Sequence, residues 1–171
     1  VLLKGMTAEY LVRRCVRVEP GMVAVVHAAA GGTGLLVCQW LAALGATVVG
    51  VVGNDAKADL ARGAGCQHVV VRGRDGLVAR VNELTGGEGA HVVYDSVGQA
   101  TFEQSLDALR PRGTMVAFGN ASGRPPPVDP LDLLRRGSLF LTRPSLFHYV
   151  ATRDELLASA AAVFDGVRRG D

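Results

Sequence analysis

The chain has 171 residues, 49% of them hydrophobic, and a formal net charge of only +2, which provides apolar material for one domain of ordinary size. No apolar run reaches the roughly 20 residues of a membrane helix, and the scattered Lys and Arg form no basic block suited to nucleic acid or an anionic membrane. Three cysteines, Cys15, Cys38 and Cys66, lack C-x-x-C spacing; this argues against a disulfide framework or structural zinc and fits a reducing cytoplasm.

The first residues, Val1-Leu2-Leu3-Lys4-Gly5, show neither an initiator methionine nor a signal-peptide pattern, so a piece of a longer protein is expected. A leading helix is expected from Thr7 as N-cap to about Val18, closed by the turn at Pro20-Gly21. From there a β-branched run, a glycine-containing turn and an Ala/Leu-rich helical stretch repeat in order. The expected strands are Met22 to His27, Thr47 to Val52, His68 to Val71, Ala90 to Asp95, Thr114 to Phe118 and Ser138 to Thr142. Most are continuous apolar runs, as in strands covered on both faces. Helices are expected from Gly32 to Leu44, Asp55 to Gly63, Gly76 to Thr85, Thr101 to Leu109, Leu131 to Arg136 and Thr152 to Val167. Asn120 to Pro130, with three consecutive prolines, can neither pair in a sheet nor continue a helix and is expected as an exposed loop. The pattern predicts an α/β fold of the Rossmann type: a doubly wound, six-stranded parallel sheet in the order 3-2-1-4-5-6, with helices on both faces.

The strongest chemical signal is His27-Ala28-Ala29-Ala30-Gly31-Gly32-Thr33-Gly34, where the first strand ends and the second helix begins. It is a G-x-G-x-x-G pattern with Ala29 in the first slot, Gly31 in the second and Gly34 in the third. Ala30, Gly31, Gly32 and Thr33 would let backbone approach a pyrophosphate, with free N–H groups at the helix start donating to it, and Gly34 would let helix and strand pack closely. A tight turn with no ligand is the competing reading.

The nucleotide preference is read at the end of the second strand, where an acidic residue grips the ribose of NAD. Here stands Gly53, followed by Asn54-Asp55-Ala56-Lys57. The vacant strand tip leaves room for a 2′-phosphate that Lys57 can neutralise, which favours NADPH. Asp55 is the rival as an acid for NAD, or a plain helix N-cap. Arg72 is a second candidate for the adenosine phosphate end. Ser96 is a candidate for the ribose, Phe118 and Gly119 for the nicotinamide border, and Thr142 for the tip of the sixth strand; each could equally be a strand-end turn without ligand.

Together these residues resemble the zinc-independent quinone oxidoreductases, or ζ-crystallin-like enzymes, of the medium-chain dehydrogenase/reductase superfamily. The resemblance rests on Leu2-Leu3-Lys4-Gly5-Met6-Thr7, His27 to Gly34 with Cys38-Gln39-Trp40, Leu84-Thr85-Gly86-Gly87, Val93 to Gly98, Phe118-Gly119-Asn120 and Thr142-Arg143-Pro144-Ser145. It implies a two-domain homodimer that passes hydride from NADPH to a quinone or similar small acceptor. Residues 1–20 would then be a leading helix connecting to a catalytic domain absent here, and 21–171 the NAD(P)-binding domain. Lys57 would meet the 2′-phosphate, and Arg72 replaces the family's frequent Tyr. The zinc-dependent relatives carry a metal-binding Cys where this chain has Leu2 and Leu3, so no catalytic zinc is expected, and His27, His91 and Cys15 are read as packing residues. The apolar sixth strand, Ser138 to Thr142, would pair with its twin across a dimer axis. No general acid or base is assigned, because the cofactor supplies the chemistry. An enoyl-thioester reductase segment of a polyketide synthase and a non-catalytic NADPH sensor are the alternatives.

Overall fold

The computed structural model describes residues 2–169. The sheet contains β1 (Val23–His27), β2 (Thr47–Val52), β3 (His68–Val71), β4 (Ala90–Asp95), β5 (Leu109–Ala117) and β6 (Phe140–Thr142). All are parallel, in the order β3-β2-β1-β4-β5-β6. The expected architecture is therefore present, and chain order reverses between β1 and β4, which opens a crevice beyond the strands' carboxyl ends.

Alternating side chains along each strand feed two cores. One face joins Ala24, Val26, Val48 and Tyr94 to α1 (Leu2–Tyr10), α2 (Gly32–Ala43), α3 (Ala58–Gly63) and α8 (Arg153–Arg169). The other joins Val25, Val49, Val93 and Met115 to Leu77 and Val81 of α4 (Leu77–Thr85) and Phe102 and Leu106 of α5 (Phe102–Asp107). Burial of each such Val or Leu contributes about 1.5–3 kcal/mol, which explains why β1, buried over Ala24 to His27, reads as an unbroken apolar run.

Several boundaries differ from expectation for local reasons. Thr7 is not an N-cap: it lies inside α1, and its hydroxyl donates to the Leu3 carbonyl. The helix starts earlier because Gly5 lets it close on α8, where a Cβ would press on Val163. It also ends earlier, in a wide π turn over Leu11–Cys15 whose last bond runs from the Val16 N–H to the Leu11 carbonyl. Leu109 leaves the predicted fifth helix to open β5, where it pairs with Ala90, so this strand has nine residues rather than five. Ser138 adopts a left-handed backbone with φ 58° and precedes β6 rather than joining it. The segment from Asp55 divides into a 3₁₀ turn (Asp55–Lys57) and α3. α6 (Pro130–Arg135) matches its expected span closely, whereas α7 (Leu146–Tyr149) carries too few residues to show a period.

Candidate functional site

The turn after β1 is built to leave backbone donors exposed. Ala28 takes a left-handed φ of 52°, and the Gly31 N–H returns to the Ala28 carbonyl at 2.8 Å. Gly31 then opens α2 in extended backbone without any side-chain cap. The first N–H groups of a helix have no intrahelical acceptor, so those of Gly32, Thr33 and Gly34 stand uncapped at the positive end of the helix dipole. Gly34 is buried, and a Cβ there would overlap the Ala28 carbonyl oxygen. Lys4 reaches from α1 to the same place: a Cβ on Gly32 would collide with its ammonium.

A cleft opens beside this turn, lined by Ala28, Ala30 and Gly31, by Val51, Val52 and Gly53 at the end of β2, by Lys57 and Arg72, and by His27 and Val97. A Cβ on Gly53 would meet nothing within 4 Å, so the vacancy expected at the strand tip is real. Neither the Lys57 nor the Arg72 side chain makes a hydrogen bond or ion pair among the described residues. Asp55 fills neither of the roles considered for it. The cap belongs to Asn54, whose side-chain oxygen accepts from the Lys57 N–H at 3.2 Å. The Asp55 carboxylate instead accepts two bonds from Arg74, at 2.7 and 2.8 Å.

The turn after β4 forms the opposite wall. Asp95 is fully buried and accepts from the N–H groups of Val97 (2.7 Å) and Gly98 (3.0 Å) and from the hydroxyls of Thr101 (2.7 Å) and Ser105 (2.8 Å). Ser105 has one proton and gives it to the carboxylate, so its oxygen accepts from His27 Nε2–H, 3.0 Å away. His27 Nδ1 is then a buried lone pair without a partner. Burial pushes the His27 pKa down, against the pull of nearby Asp95, so the ring is neutral.

A second hollow, at the tips of β5 and β6, is lined by Phe118, Arg143, Pro144, Ser145 and Leu146 and bounded by Thr7 and Tyr10 of α1. Tyr10 stacks on Tyr149 with centroids 4.4 Å apart. Burial, then the neighbouring Cys15 and Tyr149, push its phenol up to about 12, so it stays protonated at neutral pH. Gly119 packs against the Ser96 backbone, where a Cβ would sit 2.5 Å from the Ser96 carbonyl oxygen. Thr142 ends β6 opposite Val116.

The structure thus gathers Ala30, Gly31, Gly53, Lys57 and Arg72 in one cleft and sets Phe118 in the second hollow. Ser96, Gly119 and Thr142 lie at neighbouring strand ends without lining either space. Sequence reasoning missed Lys4, Tyr10 and Val97. The LLKG stretch and the lone aromatic of α1 were visible, but nothing in the chain said that α1 would return to the mouth of the glycine turn.

The cleft fits an anionic, phosphate-bearing ligand: uncapped amides, two unpaired cations, and no Cβ at Gly31 or Gly53. Among the described residues no three His, Cys, Asp or Glu side chains cluster.

Residues 32–159 match the family described as zinc-binding dehydrogenase, and the chain belongs to that family. The expected kinship with quinone oxidoreductases stands with it. The chain is 46% identical to a 2-haloacrylate reductase of a Burkholderia species over 171 residues, covering 99% of this chain and 51% of the relative. It is 48% identical to a quinone oxidoreductase of Salmonella typhimurium over 168 residues, covering 98% and 51%. It superposes on the crystal structure of Escherichia coli quinone oxidoreductase complexed with NADPH with a TM-score of 0.94 at 46% identity, covering 98% of this chain and 52% of that one. The chain spans about half the length of the curated relatives it matches.

Proposed function

We propose that this chain is the NADPH-binding half of a reductase that delivers hydride to a quinone or a similar small, electron-poor acceptor. The observation that carries the reading is the cleft at the end of β2, where Lys57 and Arg72 are free among the described residues and the nearby carboxylates, Asp55 and Asp75, are both already paired with Arg74. A 2′-phosphate finds cations there; the bare 2′-hydroxyl of NADH finds no free carboxylate to accept from it.

In this reading Gly32, Thr33 and Gly34 donate backbone N–H groups to the pyrophosphate and Lys4 adds a charge beside them. Lys57 holds the 2′-phosphate, Arg72 lies along the adenine, and Ala30, Gly31 and Gly53 keep the path clear. Ser96 serves the ribose. Phe118, Gly119 and Thr142 border the nicotinamide, which when bound supplies the hydride. Protonated Tyr10 closes that end of the site as a neutral wall and hydrogen-bond donor. Residues 1–20 lead from the other, acceptor-binding domain, and 21–171 form the cofactor domain. No zinc takes part, in keeping with the ligand-poor composition of both hollows. The free thiols Cys15, Cys38 and Cys66 suit a cytoplasmic setting. The edge strand β6, with Phe140 61% exposed, pairs with a second copy to form a homodimer.

The test is NADPH oxidation by the intact protein, with small quinones and 2-haloacrylate as alternative acceptors. Turnover with either class, faster with NADPH than with NADH, supports a reductase. Tight NADPH binding with no oxidation by quinone, haloacrylate or enoyl-thioester acceptors supports a cofactor-binding sensor instead.

A further inference from the structure

Arg74 lies outside the cleft, yet it has the most complete set of hydrogen bonds of any exposed cation in this region. Its guanidinium makes a fork onto Asp75, Nε to Oδ1 at 2.9 Å and Nη2 to Oδ2 at 3.3 Å, and its remaining Nη1 meets both oxygens of Asp55. Asp75 is itself anchored, since its Oδ2 accepts the Val71 N–H at 2.8 Å where β3 ends. The loop after β3 therefore clamps the loop after β2 through one planar cation between two carboxylates, a geometry that arginine satisfies and lysine does not.

The consequence lies with Asp55, two residues before Lys57 in the same 3₁₀ turn. Released from Arg74, this carboxylate has two other uses. It can pair with the Lys57 ammonium, competing with a phosphate for it, or it can turn to the mouth of the cleft and accept ribose hydroxyls, as the strand-tip acid of an NAD site does. Both favour NADH over NADPH. We infer that Arg74 is a specificity-determining positioning residue: by holding Asp55 away from Lys57 and from the ribose, it sets the preference for an adenosine 2′-phosphate without touching the ligand. This rests on the NADPH reading above and adds the residue that enforces it.

The test is calorimetric titration of the wild-type protein, Arg74→Ala, Arg74→Gln and Arg74→Ala/Asp55→Asn with NADPH and with NADH, at low and high salt. The expected result is a Kd ratio between the two cofactors that falls about three- to sevenfold in both single variants at low salt, the effect of one unit charge a few ångströms away in a water-like dielectric. The change shrinks at high salt. Asp55→Asn in the Arg74→Ala background restores the wild-type ratio, which general damage to the loop would not do, and melting temperatures of the variants check folding separately. An unchanged ratio in both single variants, with wild-type preference for NADPH intact, overturns this inference alone. A lowered ratio that Asp55→Asn fails to restore also overturns it, because Arg74 would then be reading the phosphate itself. A wild-type protein that binds both cofactors equally overturns it together with the NADPH reading.

Discussion

The turn after β1 and the turn after β4 sit side by side at the carboxyl edge of the sheet and treat their backbone donors in opposite ways. After β4, Asp95 gathers two N–H groups and two hydroxyls into a closed, buried knot. After β1 there is no such side chain, and the N–H groups at the head of α2 are left without a cap. A strand-end turn can thus be completed internally and serve as scaffold, or left incomplete so that a ligand finishes it. The rigidity of the turn after β4 holds one wall of the cleft, Val97, while the turn after β1 presents another.

The largest effect should come from breaking the closed turn. Asp95→Ala leaves the buried Val97 and Gly98 N–H groups without their acceptor and throws the Thr101 and Ser105 hydroxyls back on the Gly98 and Thr101 carbonyls; it should cost about 3–5 kcal/mol of stability, seen as a lowered urea midpoint of unfolding. Next, Gly34→Ala in the open turn drives a Cβ into the Ala28 carbonyl. A strain of about 1–3 kcal/mol is expected, accompanied by loss of cofactor affinity greater than the loss of stability explains, measured by titration on the folded fraction.

How far this contrast was legible in the sequence depends on how local its causes are. The strands, their order and the glycine turn follow from β-branched runs and from glycines at a strand–helix junction, and these appeared as expected. Long-range pairing did not. Pro111-Arg112-Gly113 fell between the expected helix and the expected strand, yet β5 runs through it because Leu109 pairs with Ala90 and the Arg112 N–H donates to the Gly137 carbonyl. Asp55 looked like a cap or a ribose acid because its actual partner, Arg74, is 19 residues away. Lys4 and Tyr10 joined the site only through the packing of α1 against α2. The boundaries of the leading helix failed for the same reason: α8, distant in sequence, decides where α1 begins.

Smaller effects sharpen the comparison. Lys57→Ala should weaken NADPH binding about tenfold, the contribution of one charge-assisted hydrogen bond, and leave NADH binding unchanged in the same titration. The smallest effect concerns His27, which joins the two turns through Ser105. Its folded-state pKa lies below the ordinary 6.5, so the unfolded chain binds the proton more readily. The stability this contributes is present above pH 6.5 and is lost as the pH falls below it. The melting temperature of the wild type should therefore drop more steeply between neutral and mildly acidic pH than that of His27→Gln; parallel profiles would contradict the neutral, buried assignment.

The most direct test of the contrast is to follow backbone amide signals by NMR while NADPH is added. Large shifts at Gly32, Thr33 and Gly34, with Gly98 nearly unmoved behind Asp95, are the predicted outcome. Saturable binding that leaves the three amides of the first turn in place would contradict the account.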